Sequence, residues 1–167
     1  ILGGAKPEDN MKLLIGKKVL ACGLFGQLCV IAKGNNFGAQ NNCLKDKLYL
    51  INSLKKKLKN VQTPSDFAVK VNGKRKELKL SEFPSKYEIF DIGGRTIYDY
   101  VKEIKQAKAI YMKGPAGFCA EKQFCKGTFN ILQAISESRA FSVIGGGHLD
   151  DAIRKSGINK KKFDHIS

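Results

Sequence analysis

The chain has no C-x-x-C pair and only two histidines, His148 and His165, so a zinc site is hard to assemble from it. Its cysteines, Cys22, Cys29, Cys43, Cys119 and Cys125, are an odd, scattered set with several members among apolar neighbours. They read as reduced thiols, small core side chains of a cytoplasmic protein. No apolar run approaches the ~18–20 residues that cross a bilayer, so no membrane is expected. The start has no basic region followed by a hydrophobic stretch; Ile1-Leu2 reads instead like the tail of a strand, as in a piece of a longer polypeptide. Acids are scarce: 15 Asp+Glu stand against 30 Lys+Arg, a formal charge of +15 that attracts polyanions. Yet the basic residues fall in separate runs (Lys55-Lys56-Lys57, Lys74-Arg75-Lys76, Lys160-Lys161-Lys162), none interleaved with aromatics as base stacking requires. They read as solvated faces, with nucleic acid the weaker alternative.

What is present suits one globular domain. At 167 residues with 43% apolar content, the chain can bury a core of its own. A short strand is predicted at Lys18–Ala21 and a helix from Leu24 to about Lys33, followed by a polar loop over 35–42. Leu44, Leu48, Ile51, Leu54 and Leu58 predict one amphipathic helix across Cys43–Lys59. Asn72-Gly73, between Asp66–Val71 and Lys76–Leu80, is the strongest hairpin signal in the chain. Regular alternation then resumes. Strands are expected at Glu88–Ile92, Ala109–Met112, Phe141–Ile144 and Phe163–Ile166, and helices at about Thr96–Gln106, Lys126–Ser138 and His148–Lys155. Right-handed βαβ crossovers give the expected class: an α/β, Rossmann-like three-layer domain with a mainly parallel sheet and a peripheral β-hairpin. There is no internal repeat and no low-complexity tract.

Four times an apolar strand runs into a glycine-rich turn that opens a helix: Gly3-Gly4-Ala5-Lys6-Pro7, Cys22-Gly23-Leu24-Phe25-Gly26, Lys113-Gly114-Pro115-Ala116-Gly117 and Gly145-Gly146-Gly147-His148. Asp91-Ile92-Gly93-Gly94-Arg95-Thr96 is a milder fifth. In a parallel sheet such turns gather at the carboxyl edge, where ligands bind. Glycine permits close approach, and the free N–H groups of the next helix meet an anion. Taken singly, each turn has a purely conformational reading; together they point to a phosphate-bearing ligand. Neither G-x-x-x-x-G-K-S/T nor G-x-G-x-x-G with a suitable acid is present, which demotes P-loop enzymes and ordinary NAD enzymes. Lys6, after two glycines at a strand end, is the best-placed cation.

Gly3-Gly4-Ala5-Lys6, Asp91-Ile92-Gly93, Gly114-Pro115-x-Gly117, Phe124-x-x-Gly127-Thr128, Gly145-Gly146-Gly147 and Asp164-His165-Ile166-Ser167 form an ordered set. From residue 1 to residue 167 it resembles the C-terminal half of phosphoglycerate kinase, in the archaeal variant because of Gly147-His148-Leu149. The resemblance implies that residues 1–167 are the nucleotide-binding domain of a two-domain kinase, facing an N-terminal domain that binds 3-phosphoglycerate. ATP or ADP with Mg2+ would be held here, in a monomeric cytoplasmic enzyme of glycolysis and gluconeogenesis. The carried-over nucleotide contacts are Ala5, Lys6, Cys22, Gly23, Leu24, Gly114, Pro115, Glu121, Gly145, Gly146, Gly147, His148 and Leu149, with Lys6, Gly146 and Gly147 at the transferring phosphoryl group.

Departures from the family pattern matter. Asn10 replaces a second lysine, with Lys12 and Lys113 as candidate substitutes. Lys113 replaces the asparagine before Gly-Pro. Ala120 stands at the ribose-binding glutamate, leaving Glu121 one residue out of register. His148-Leu149 replaces Asp-Thr, so the metal ligand is unassigned, with Asp150 or Asp151 as alternatives. Because the family continues beyond Ser167 into another glycine-rich loop and a closing helix, the chain alone is expected to bind nucleotide weakly and not to turn over. A non-catalytic nucleotide-binding module on the same fold, and a basic nucleic-acid-binding domain, are the competing readings.

Overall fold

The computed structural model describes all residues, Ile1–Ser167. After an extended start, helix α1 spans Pro7–Met11, with Pro7 at its first position and Glu8 and Asp9 complementing its dipole. Strand β1 (Val19–Leu20) runs into α2 (Gly23–Ala32), and α3 (Ala39–Cys43), a 3-10 segment (Lys45–Leu50) and α4 (Ile51–Lys55) follow. β2 (Val61–Gln62) precedes a hairpin of β3 (Asp66–Val71) and β4 (Lys74–Lys79). The remainder alternates: β5 (Ile89–Ile92), α5 (Gly94–Gln106), β6 (Ala109–Lys113), α6 (Lys126–Glu137), β7 (Phe141–Gly145), α7 (Gly147–Ser156) and β8 (His165–Ile166).

The α/β class expected from the alternation is present: β1 pairs β2 in parallel, and β6, β7 and β8 pair in parallel. Leu2 joins the two sets, bridging Ala21 on one side and Lys113 on the other. Side-chain alternation along β1 sends Val19 and Ala21 to one core and Leu20 and Cys22 to another. Helices α2 and α4 cover the first face; α5, α6 and α7 pack on the second. The three layers are complete over β1 and β2 only. Over β6–β8 the first face is bare, with Tyr111 42% and Phe141 59% exposed.

Three local expectations change. β5 does not join the parallel set; it pairs antiparallel with β3, making the hairpin a three-stranded sheet in the order β4-β3-β5. Phe37, Phe67 and Phe83 pack edge to face in the core on that sheet. The single helix expected over Cys43–Lys59 is broken into the 3-10 segment and α4. The three-residue spacing of Leu48, Ile51 and Leu54 suits a 3-10 turn as well as an α-helix. Finally, the thiols are not all free: Cys119 and Cys125 form a disulfide, brought together because the 3-10 turn Lys122–Phe124 folds the intervening chain back. Cys22 and Cys29 remain buried thiols pushed up to about 12 by desolvation, while Cys43 is exposed.

The hairpin turn is as the sequence predicts. Asn72 (φ 51°) and Gly73 (φ 77°) both take positive φ, as a two-residue turn between strands of normal twist demands.

Candidate functional site

The main-chain turns after Leu2, β1 and β6 are interlocked. Gly3 N–H donates to Lys113 O (2.8 Å), Gly4 N–H to Pro115 O (2.8 Å), Cys22 N–H to Leu2 O (2.8 Å) and Gly23 N–H to Ala116 O (3.2 Å). Such proximity leaves no room for side chains. A Cβ on Gly23, at φ 57°, would lie 2.6 Å from the Gly4 nitrogen. One on Gly114, at φ 79°, would lie 2.5 Å from the Gly3 carbonyl carbon. The glycines therefore build a backbone-lined rim at the carboxyl edge of the sheet.

Beside this rim lies a cavity of about 450 Å3, within the range of small-ligand sites. Gly4, Ala5, Gly23, Pro115 and Gly117 form its main-chain side. Leu24, Ile89, Phe90 and Phe118 supply an apolar wall, braced by a Phe118 N–H bond to Phe90 O (2.7 Å) and by Phe90 stacked 4.9 Å from Phe124. His148, Asp151 and Lys155, spaced three and four residues apart on α7, form a polar wall. Asp151 is held below its usual carboxylate range by its bond to Lys155, 2.9 Å away, and it also pairs with Arg154.

The residues expected at the site are not all brought to the cavity. Ala5, Gly23, Leu24, Pro115 and His148 line the cavity. Lys6 is exposed on the turn next to Ala5, and Gly146 and Gly147 are exposed at the start of α7 next to His148. Gly145 and Cys22 are buried beneath this edge, and Gly114 is half-buried on it. Leu149 is fully buried in the core on α7. Glu121 is not brought to the cavity: its carboxylate pairs with Lys70 of β3 and accepts from Gln123 Nε2, on the hairpin side of the loop. Ala120 takes the cavity-lining position.

Asn10 is fully buried and donates from Nδ2 to Gly3 O at 2.8 Å, which fixes the first glycine turn from below. Lys113 Nζ lies 3.5 Å from Asn10 Oδ1 and 3.9 Å from Asp9. The ammonium absent at position 10 thus has a counterpart approaching that spot from β6. Lys12 is exposed at the end of α1.

The fifth glycine turn does not open on the cavity. Asp66 accepts from Arg95 N–H and Thr96 N–H (both 2.9 Å), and Glu77 accepts from Gly94 N–H (2.9 Å), so the protein's own carboxylates occupy the start of α5. Asp91, from the same motif, is a buried tie. It accepts from Arg75 (2.7 Å), Gly127 N–H (3.0 Å) and Ile92 N–H (2.8 Å), joining the hairpin to α6. Burial pushes its carboxyl up to about 6 against the pull of Arg75.

Sequence reasoning missed Gln27, Phe90, Phe118 and Lys155 as lining residues. Only Gln27 carried a signal: it is the one strongly polar side chain between Leu24 and Ala32.

Fold and cleft together place the chain among parallel α/β domains whose cleft opens at the carboxyl edge of the sheet. A family model described as phosphoglycerate kinase matches residues 1–167. Phosphoglycerate kinase of Methanothermus fervidus is 38% identical over the whole chain, which covers 44% of that relative. For Pyrococcus abyssi the identity is 37%, with 45% of the relative covered. The crystal structure of phosphoglycerate kinase from Pyrococcus horikoshii OT3 superposes with a TM-score of 0.91 at 35% identity, over 99% of this chain and 45% of that one. The chain belongs to the phosphoglycerate kinase family. It spans somewhat less than half the length of the curated relatives it matches. No helix is long and apolar enough to cross a membrane.

Proposed function

We propose that this chain is the nucleotide-holding half of a phosphoglycerate kinase, the domain spanning residues 1–167 that receives ADP or ATP. The 3-phosphoglycerate side is supplied by the rest of the polypeptide, in a monomeric cytoplasmic enzyme. The observation that carries the reading is the convergence of four glycine turns beside one 450 Å3 cavity with an apolar wall on one side and the start of α7 on the other. A base suits the wall of Leu24, Ile89, Phe90 and Phe118. The phosphates suit the glycine rim, where Lys6, Lys113 and the N–H groups of Gly146, Gly147 and His148 offer positive charge and donors.

In the direction of ATP formation, a β-phosphate oxygen of ADP attacks the phosphorus of the acyl phosphate in 1,3-bisphosphoglycerate. The bond from phosphorus to the carboxyl oxygen breaks, and 3-phosphoglycerate leaves as a carboxylate. No covalent bond to the protein is needed. The chain's contribution is to hold the nucleotide in line and to offer fixed donors to the charge on the transferring group. For Mg2+ the residues form no preformed cage. No group of three or more His, Cys, Asp or Glu side chains is clustered, and Asp151, the one carboxylate in the lining, is already paired. In this reading the ion arrives on the nucleotide's own phosphates.

Calorimetric titration with MgADP at moderate and high salt tests the proposal. Saturable binding near one per chain is expected, weakened at least about tenfold in Lys6→Ala, the worth of one charge-assisted contact. Binding that ignores free nucleotide, favours nucleic acid and collapses with added salt would replace this reading with the basic-domain alternative.

A further inference from the structure

Gln27 sits on α2 one turn after Gly23, lines the cavity, and is 4% exposed. Its amide orientation is dictated by a short relay. The Ile89 N–H can only donate, and it donates to Gln40 Oε1 at 2.9 Å. That leaves Gln40 Nε2 as the donor of the next bond, and it donates to Gln27 Oε1 at 2.8 Å. Gln27 must therefore turn its Nε2 away from Gln40. That NH2 group meets no acceptor of the protein, and no buried side-chain nitrogen or oxygen is left both sealed and unpartnered. Gln40 is itself 3% exposed, so the relay is a fixed internal device and not a surface contact.

We infer that Gln27 reads the nucleobase: its Nε2 donates a hydrogen bond to an unprotonated ring nitrogen of a purine held against Leu24, Ile89, Phe90 and Phe118. This rests on the nucleotide reading above and adds to it a determinant of base choice. A donor nearly sealed from water is costly to leave unpaired, so a ligand that completes it gains and one that cannot is penalised. The two phenyl rings of the apolar wall suit a flat two-ring base. Gln40 acts through Gln27, as a positioning residue.

The test measures Mg-dependent binding of ADP and of its 1-deaza, 3-deaza and 7-deaza analogues, each lacking one ring nitrogen. On the unaltered protein, one analogue is expected to bind about three- to tenfold more weakly than ADP and the other two to match it. In Gln27→Met, which keeps the bulk and drops the donor, ADP should weaken by a similar factor and the difference between analogues should vanish. Gln27→Glu still accepts from Gln40 but presents an oxygen to the base, so it should lose more than the Met variant. Near-UV circular dichroism checks that the variants fold, and the analogue series on the unaltered protein decides the matter without them. Equal affinity for all four nucleotides overturns the inference and leaves the nucleotide site standing. So does an analogue loss that persists in Gln27→Met. Absence of ADP binding overturns both.

Discussion

Helices α5 and α7 each begin with paired glycines at a strand end, and they treat the free N–H groups of their first turns in opposite ways. At α5 the donors are taken by Asp66 and Glu77, carboxylates of the neighbouring hairpin, at 2.9 Å. At α7 no side chain caps the turn. Gly146, Gly147 and His148 are exposed there, and the nearby acids are committed elsewhere, Asp150 to Lys160 and Asp151 to Lys155. The same local sequence device, glycine leading into a helix, thus serves assembly in one place and remains available for an outside anion in the other. What separates them is long-range: whether the fold delivers an acid of its own.

The largest effect is expected from emptying the filled turn. Asp66→Ala strips the acceptor from Arg95 N–H, Thr96 N–H and the Thr96 hydroxyl, the last at 2.6 Å in a buried setting. Urea unfolding should show a loss of about 3 kcal/mol, while the folded protein keeps its MgADP affinity. A fall in affinity with unchanged stability would erase the distinction between the two turns. Asp91, a further internal carboxylate, gives a pH signature. Its carboxyl lies at about 6 in the folded chain, raised from an ordinary value near 4 by burial. Between those values the folded state holds a proton that the unfolded state has released, so this group favours folding more as pH falls from about 6 to about 4. Relative to Asp91→Asn, which does not titrate, the unaltered protein should gain up to about 3 kcal/mol across that window. A flat difference curve would mean that Arg75 keeps the carboxylate ionised throughout.

This contrast also marks how far the sequence could be read. Glycine clusters at strand ends, the Asn72-Gly73 turn and the periodicity of α5, α6 and α7 are local signals, and the structure places those elements within one or two residues. The strand expected at Glu88–Ile92 was legible as a strand but not in its pairing, because a short, mostly buried run reads alike in parallel and antiparallel surroundings. The Cys119–Cys125 bond had no spacing signature and depends on the turn between them. The cavity's rim was legible from its glycines; its apolar wall was not, since nothing local distinguishes Phe90 or Phe118 from core residues. The family resemblance implies a nucleotide contact for Glu121, whose carboxylate is instead held by Lys70, a partner 51 residues distant. Gln27 needed the Gln40 relay, which joins three segments, before its free donor had a direction.

The smallest change gives the sharpest form of the comparison. Gly147 has no heavy atom of the rest of the protein within 4 Å of where a Cβ would stand, and its φ is not in the positive region, so a side chain can be added there. Gly147→Asp gives α7 the internal acid that α5 already has. An acid in the first turn complements the helix dipole, so stability should be unchanged or higher by about 0.5 kcal/mol. The same charge faces the position proposed for the phosphates, and there it repels. MgADP affinity should fall at least about tenfold, the equivalent of ~1.4 kcal/mol, with the loss shrinking as salt screens the repulsion. Gly147→Ala, which adds bulk without charge, separates repulsion from crowding by leaving affinity within about twofold. If Gly147→Asp binds MgADP as the unaltered chain does, the start of α7 is not where the phosphates lie, and the open turn needs another explanation.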